Sequence, residues 1–596
     1  MSSAAPSGPR RPPGVRQLLD ARRAIWLGVA VLGVGVAWIV VTGLVARHQL
    51  QSVRAELERL QRDVRTTVAA GGNSSRVAAD LAEMRSQAAH AQALTSGPAW
   101  WTAAHIPFLG APARTVRSIA AATHTVAGAA RPLVDALHSA LPVEQQASAH
   151  AVDLHPLQAA TGPLHAARHT LRDAAAQLNV ASGSWFGPVS RAYGQLDTAL
   201  RRLDARVTTI SNTVDAALRL LGADGPHRYF VAFENEAESR GIGGLPGAFA
   251  ILTADHGQLQ FTHFGNDNEL KDAAVSVPLG SAYTASYAQD RPTSLFVNSD
   301  ISPNFPDAAK IWAAMWQQVS GQSVDGAFAL DPTALSYLLA RTGPARMPEG
   351  QAVTASTVVA LTEQRLYAEY PDVTARKALL VDVARAVSQR LLAATNLRGV
   401  ASAFGAAAGD RRILAWSSSP ATERILDALG FAGTVRDTGR PYSGFVVDNA
   451  AGTKLDYYLS RSMTYRRETC GDQATVTAQL RLTNDAPTAG LPTYVTTRRD
   501  SGAANSRPGD NRLLVTYYAS KGSVVDSVAV DGQPVTVATG TENGLVTVTV
   551  DVEIAVQHSA TVDLHLTEPA SDRKPVLLEQ PLVRPLSVHV ERARCG

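Results

Sequence analysis

Between Ala24 and Ala46 the chain runs 23 residues without a charged side chain, AIWLGVAVLGVGVAWIVVTGLVA. At about 1.5 Å of rise per helical residue such a run reaches roughly 34 Å, against a hydrocarbon core of about 30 Å. The run predicts one transmembrane helix over 24–46, preceded by a disordered Pro/Arg/Ser-rich cytoplasmic tail over 1–23. A cleaved signal peptide has a shorter apolar core, about 7–15 residues, closed by small residues. Here the run is longer and ends Leu44-Val45-Ala46, which favours an uncleaved signal anchor. Arg10, Arg11, Arg16, Arg22 and Arg23 precede the run, and Arg47, Arg54, Arg59, Arg62 and Arg65 follow it, so counting basic residues leaves orientation undecided. The Arg22-Arg23 pair at the boundary points to an inside N-terminus. The expected localisation is the cell membrane, single-pass, with the bulk of the chain extracytoplasmic.

An outside location permits a disulfide between the two cysteines, Cys470 and Cys595, and two free buried thiols are the alternative. Neither cysteine has the closely spaced Cys/His neighbours of a metal site. Apolar residues at 45% and charged residues at 18% describe a foldable chain. A net charge of +3, with no basic stripe interleaved with aromatics, argues against nucleic acid as a partner.

After the apolar run, Leu50, Val53, Leu57, Leu60 and Val64 recur at spacings of three and four, a seam of about two heptads that reads as a helical stalk. From Val77 to Leu221 the sequence is Ala-rich with helical spacing, cut by Pro98, Pro107, Pro112, Pro132, Pro142, Pro156, Pro163 and Pro188. An α-helical stalk region is therefore expected over 47–222. His165 and His169 share a helix face at the i, i+4 spacing of zinc ligands, without a third ligand in view. At Pro226 the pattern changes. His227–Phe233 reads as a strand, and Ala248–Thr253 with Leu259–Phe264 as a hairpin through Asp255-His256-Gly257. Ser294–Val297, Ala327–Leu330 and Arg412–Ser417 read as strands. The helices expected here are Ala308–Val319, Pro332–Leu339, Ala355–Tyr370, Thr374–Thr395 and Ala421–Leu429. This alternation implies a central α/β or α+β domain over 223–440. Strict period-two patterning at Val546, Val548, Val550, Val552 and Ile554 implies a C-terminal antiparallel β-sandwich over 441–596.

The segment Glu234–Gly247 (ENEAESRGIGGLPG) is the densest in chemistry. Glycines such as Gly243, Gly244 and Gly247 let backbone N–H groups approach an anion, and the guanidinium of Arg240 can clamp phosphate oxygens. A structural Gly-rich turn is the alternative. Arg376 and Lys377 open a helix after Asp372, where basic groups reinforce an anion site; a solvated face accounts for them equally. The oxygen-rich turn containing Asp267 offers ligands for a hard cation such as Mg²⁺, or is an ordinary solvated turn, and Asn298-Ser299-Asp300 at a strand end lines a site or forms Asx turns. No G-x-S-x-G or HExxH signature is present.

At Arg228–Gly247 (RYFVAFENEAESRGIGGLPG) the chain resembles an uncharacterised family of membrane-anchored proteins, common in actinobacteria and known as domain of unknown function 4012. The likeness continues through Pro98–Pro107, Gly321–Pro344 and Lys454–Leu459. More distantly, the order of anchor, strand ending near an arginine, and basic helix near Asp372–Gln389 is similar to the LytR-CpsA-Psr family, membrane-anchored phosphotransferases acting on polyprenyl-pyrophosphate-linked glycans. That resemblance implies that Arg240 and Arg376 bind pyrophosphate and that Asp267 or Asp300 holds Mg²⁺. The chain departs from that family's G-x-D-x-R opening and lacks its S-x-P-R-D segment. The expected function is surface-polysaccharide or cell-envelope assembly at a lipid bilayer, with a polyprenyl-linked glycan or cell-wall polymer as partner. The rival is a non-enzymatic glycan- or protein-binding envelope scaffold. Self-association is not readable from the sequence.

Overall fold

The computed structural model describes residues 74–107, 110–140, 151–181, 183–500 and 503–594. The expected membrane helix over 24–46 and the heptad seam lie outside the described residues. Among the described residues no helix is long and apolar enough to cross a membrane. The described chain is a mixed α/β multidomain protein with several sheets. This corrects the expected series of spanning helix, stalk, central domain and purely antiparallel sandwich. It falls into two compact units, one of 1–141 with 156–214 and one of 142–155 with 215–596.

The first unit is helical: α1 Ser74–Ser96, α2 Pro98–His105, α3 Gly110–Ala140, α4 His155–Asn179 and the greater part of α5 Gly187–Leu220. Its Ala-rich faces bury one another, with Ile119, Val126, Leu171, Leu178, Leu200 and Val207 in one core. Pro132 and Pro163 lie inside helices rather than ending them. Each removes only one backbone bond, and burial of the neighbouring apolar face offsets that loss.

In the second unit β1 (His227–Arg240), β2 (Gly243–Asp255), β3 (Gln258–Asn266), β4 (Gly326–Leu330) and β5 (Ile413–Ser417) form a sheet in the order β3-β2-β1-β4-β5. Only β1 and β4 run parallel; the other pairs are antiparallel. Alternation along β1 sends Phe230 and Ala232 to one face, where they meet Phe305 and Trp312 of α6 (Phe305–Ser320). Val231 goes to the other face, with Leu335 and Leu338 of α7 (Pro332–Thr342), Val383 of α8 (Val373–Leu392) and Ala403 of α9 (Leu397–Gly409). The expected strand at Ser294–Val297 is instead a single 3₁₀ turn, Phe296–Asn298. It drives the Phe296 ring against Phe230 and Phe249, so these residues fill the core rather than extend the sheet.

Ala345–Arg346 and Ala352–Val353 form a separate two-stranded ladder, and the strands after residue 441 build two sheets around one hydrophobic core. Residues Tyr442–Asn449 (β6), Leu459–Cys470 (β7), Gln473–Asn484 (β8), Asn511–Ala519 (β9), Leu545–Ile554 (β10) and Ser559–Pro569 (β11) are its long members. The expected antiparallel arrangement fails at two edges. Val576–Glu579 pairs parallel to β6, and Ser587–Arg594 pairs parallel to β7. Both segments reach their neighbours by crossover rather than by hairpin, which a parallel pair requires. The second pairing ends with Arg594 opposite Thr469. Cys470 is disulfide-bonded, and Cys595, the chain's other cysteine, lies outside the described residues.

Strand β1 continues past its last pairing with β4, Phe233 opposite Leu330, to reach the C-terminal sheets. There the Asp456 carboxylate accepts from Ser239, and Gln580 Nε2 donates to the Arg240 carbonyl oxygen at 2.6 Å. The overhang carries three buried carboxyl groups, Glu234, Glu236 and Glu238.

Candidate functional site

A cavity of about 500 Å³ lies at the carboxyl ends of β1 and β4, the edge at which open α/β sheets hold ligands. Its volume falls in the range of small-molecule sites. One side is apolar, with Phe233, Leu245, Leu330, Leu335, Leu380 and Val383. The cations Arg376, Lys454 and Arg499 share the lining, Arg376 on the same helix as Leu380 and Val383.

Arg376 stands in the first turn of α8, whose N-cap is Asp372, accepting from Ala375 N at 2.7 Å. Its guanidinium lies 4.1 Å from the centre of the Tyr494 ring and 5.0 Å from that of Tyr367. The two rings stack at 6.1 Å. Arg499 lies 4.6 Å from the Tyr494 ring centre, and Lys454 contributes its ammonium at 5.7 Å. Contacts of this kind contribute about 0.5–2 kcal/mol each, more where water is excluded. Arg376 is 1% exposed; its Nη1 donates to the Tyr370 carbonyl at 2.7 Å, while Nη2 has no partner. A buried donor left unpaired is costly in a finished fold and inexpensive where a ligand supplies the acceptor. Lys454 is ion-paired with Glu238.

The structure brings Arg240, Gly247, Asp267, Arg376 and Lys377 to this one cavity. Their roles differ. Arg240 is held by its surroundings: Nε donates to Val297 O at 3.1 Å, Nη1 to Ser239 O at 2.8 Å and Asn449 O at 3.2 Å, and Nη2 to Asn298 Oδ1 at 3.2 Å. Lys377 donates to Asp267 at 2.8 Å and to Asn268 at 3.0 Å, tying α8 to the turn after β3. Gly243 and Gly244 do not line the cavity. They close the β1–β2 hairpin opposite Arg240 and Ser239, and a Cβ on Gly244 would sit 2.3 Å from the Asn235 carbonyl carbon. Asp300 is fully buried behind the wall, next to Glu234. Among the described residues no group of three or more His, Cys, Asp or Glu is placed to hold a metal ion.

Several residues of the site carry no strong local signature. Tyr367, Lys454, Tyr494 and Arg499 reach the cavity from segments far apart in the chain. The signal for Glu234 was present, since three acids at alternate positions follow the apolar run Tyr229–Phe233 in one strand. Glu234 lines the cavity, and its carboxyl rises well above the ordinary range, first through burial and then through Asp300. Deeper in, Arg412 bridges Glu236 at 2.9 Å and Asp331 at 2.7 Å. Glu363, on the wall, accepts from Ala237 N at 2.6 Å, and burial pushes its carboxyl well up.

Residues 224–367 match the model of a protein family of unknown function, DUF4012. The match takes in β1 to β4 and Tyr367, and stops before Arg376, Lys454, Tyr494 and Arg499. No curated protein matches the chain. Among solved structures, a Legionella pneumophila protein described as nutrient-binding is similar over 22% of this chain and 44% of its own, at 7% identity and a TM-score of 0.15. The chain thus spans less than half the length of that protein.

Proposed function

We propose that the cavity binds an amphiphilic phosphorylated ligand, a polyprenyl-pyrophosphate-linked glycan, and that the protein serves surface-polysaccharide or cell-envelope assembly at a bilayer surface. The observation that carries this reading is the unpaired Nη2 of Arg376, buried at a cavity lined by both cations and apolar side chains. An anionic head satisfies the guanidinium and pairs with Arg499, and an isoprenoid segment covers Leu335, Leu380 and Val383. The disulfide at Cys470 supports an oxidising, extracytoplasmic location. Any Mg²⁺ enters this reading with the pyrophosphate it chelates, not as a resident ion.

One observation favours the non-enzymatic scaffold over a phosphotransferase. Arg240 is engaged by three carbonyl groups and an amide, and Asp267 by Lys377, so the two groups that phosphoryl transfer would lean on are already bonded.

Calorimetric titration of the purified protein with farnesyl pyrophosphate, farnesol and inorganic pyrophosphate tests the reading. Farnesyl pyrophosphate is expected to bind at least about ten-fold, or about 1.4 kcal/mol, tighter than either half. Arg499→Ala is expected to weaken it. Equal affinity for farnesol, or no binding of farnesyl pyrophosphate, overturns the proposal.

A further inference from the structure

Glu234 and Asp300 form the most unusual polar contact of the cavity wall. Glu234 is 6% exposed and Asp300 is fully buried; their carboxyl groups are neighbours, and none of the four oxygens accepts from another side chain. The charged groups around them come from several elements. Glu236 shares β1, Asp331 caps α7, Asp448 projects from β6, and the nearest cation is Arg240 at the end of β1. Glu236 and Asp331 already share Arg412, and Arg240 is spread among three carbonyl groups, the Asn298 amide and the surrounding acids.

Two buried carboxylates in contact cannot both be ionised without a cation between them. Two carboxylates also offer no hydrogen to each other, so a proton on one of them is what lets the pair bond. We propose that Glu234 and Asp300 share one proton, which holds Glu234 neutral in the cavity wall, so that an oxyanion binds beside it and its binding is coupled to retention of that proton. Ionised, Glu234 would set a negative charge in the same cavity as the anion held by Arg376. Neutral, it gives its O–H to Asp300 and leaves the cavity without that negative charge. The unpaired Nη2 of Arg376 is the independent sign of an anion in this cavity. The directions agree: burial raises Glu234 well above the carboxylate range and pushes Asp300 up to about 7, against the pull of Arg240. The inference rests on the anionic ligand proposed above.

Two measurements on the full protein decide it. Carbon NMR of labelled Asp and Glu carboxyls in the ligand-free protein should show, among the carboxyls protonated near pH 6, one that disappears in Glu234→Gln; if none disappears, the pair is overturned whatever the ligand. Farnesyl pyrophosphate affinity is then followed from about pH 5.5 to about pH 9 and read as the ratio of wild type to Glu234→Gln, which cancels the probe's own titration. Above the pair's pKa the ratio should fall about ten-fold per pH unit. A constant ratio overturns the coupling while leaving the anion site standing, whereas no binding by wild type at any pH overturns both. Should Glu234→Gln fail to fold, Asp300→Asn takes its place: with one partner made neutral, the pH at which affinity falls is expected to shift, and an unshifted fall overturns the pair.

Discussion

The carboxylate of Asp456 accepts both the backbone N–H and the hydroxyl of Ser239 at 2.8 Å, joining the overhanging end of β1 to the turn before β7. The same carboxylate accepts from Asn449 at 2.9 Å and Asn511 at 2.7 Å, and Asp456 is fully buried. Asp456→Ala leaves these donors without an acceptor, and each such loss costs about 1–3 kcal/mol. The expected penalty is at least about 3 kcal/mol, read as the shift in the urea midpoint multiplied by the slope.

Stability should fall as pH rises from about 5 to about 8. Burial raises Asp300 up to about 7 and Asp331 up to about 8 in the folded chain. The native state therefore binds more protons than the unfolded state between the ordinary carboxyl range and those values, and it loses stability at up to about 1.4 kcal/mol per pH unit per proton. Arg412 opposes both shifts in its pair, Glu236 and Asp331. Arg412→Met should therefore cost more at pH 8 than at pH 5, measured by denaturant titration at the two values.

Gly241→Ala should disturb the site from outside the cavity. A Cβ there would stand 2.3 Å from the Ile301 carbonyl oxygen and 2.6 Å from Pro303 N, both backbone. The segment that carries Asp300 has to move, at a cost of about 1–3 kcal/mol. Thermal unfolding reads the cost, and a weaker affinity for farnesyl pyrophosphate is expected with it.

Reduction of the disulfide should lower stability on the order of 4–5 kcal/mol if Cys470 closes the loop to Cys595, some 125 positions on. Unfolding midpoints with and without reductant, together with Cys470→Ser, give the measurement. A variant that unfolds like the oxidised protein would contradict it.

Much of the sheet was legible. Alternation in His227–Phe233 and the Asp255-His256-Gly257 turn locate β1 to β3, and Asp372 with the apolar run after it locates α8. The parallel edge at Val576–Glu579 was not, because alternation is identical for either strand direction. The cationic wall was half legible. Arg376 stood out at a helix start, but its stacking partners Tyr367 and Tyr494 come from separate segments that only the tertiary fold brings together. Arg240 was found for its charge and proves to be held by carbonyl groups. The donor that lacks a partner belongs to Arg376, and satisfaction of donors is a property of neighbours in space.

The bond from Gln580 to the Arg240 carbonyl spans 340 positions. Translation at about 5–20 residues per second leaves roughly 20 to 70 s between the emergence of one partner and that of the other. Throughout that interval the tip of the first hairpin has its guanidinium and its row of acids without their final lodging. That tip therefore sets last, once the distant glutamine has been made and has closed on it.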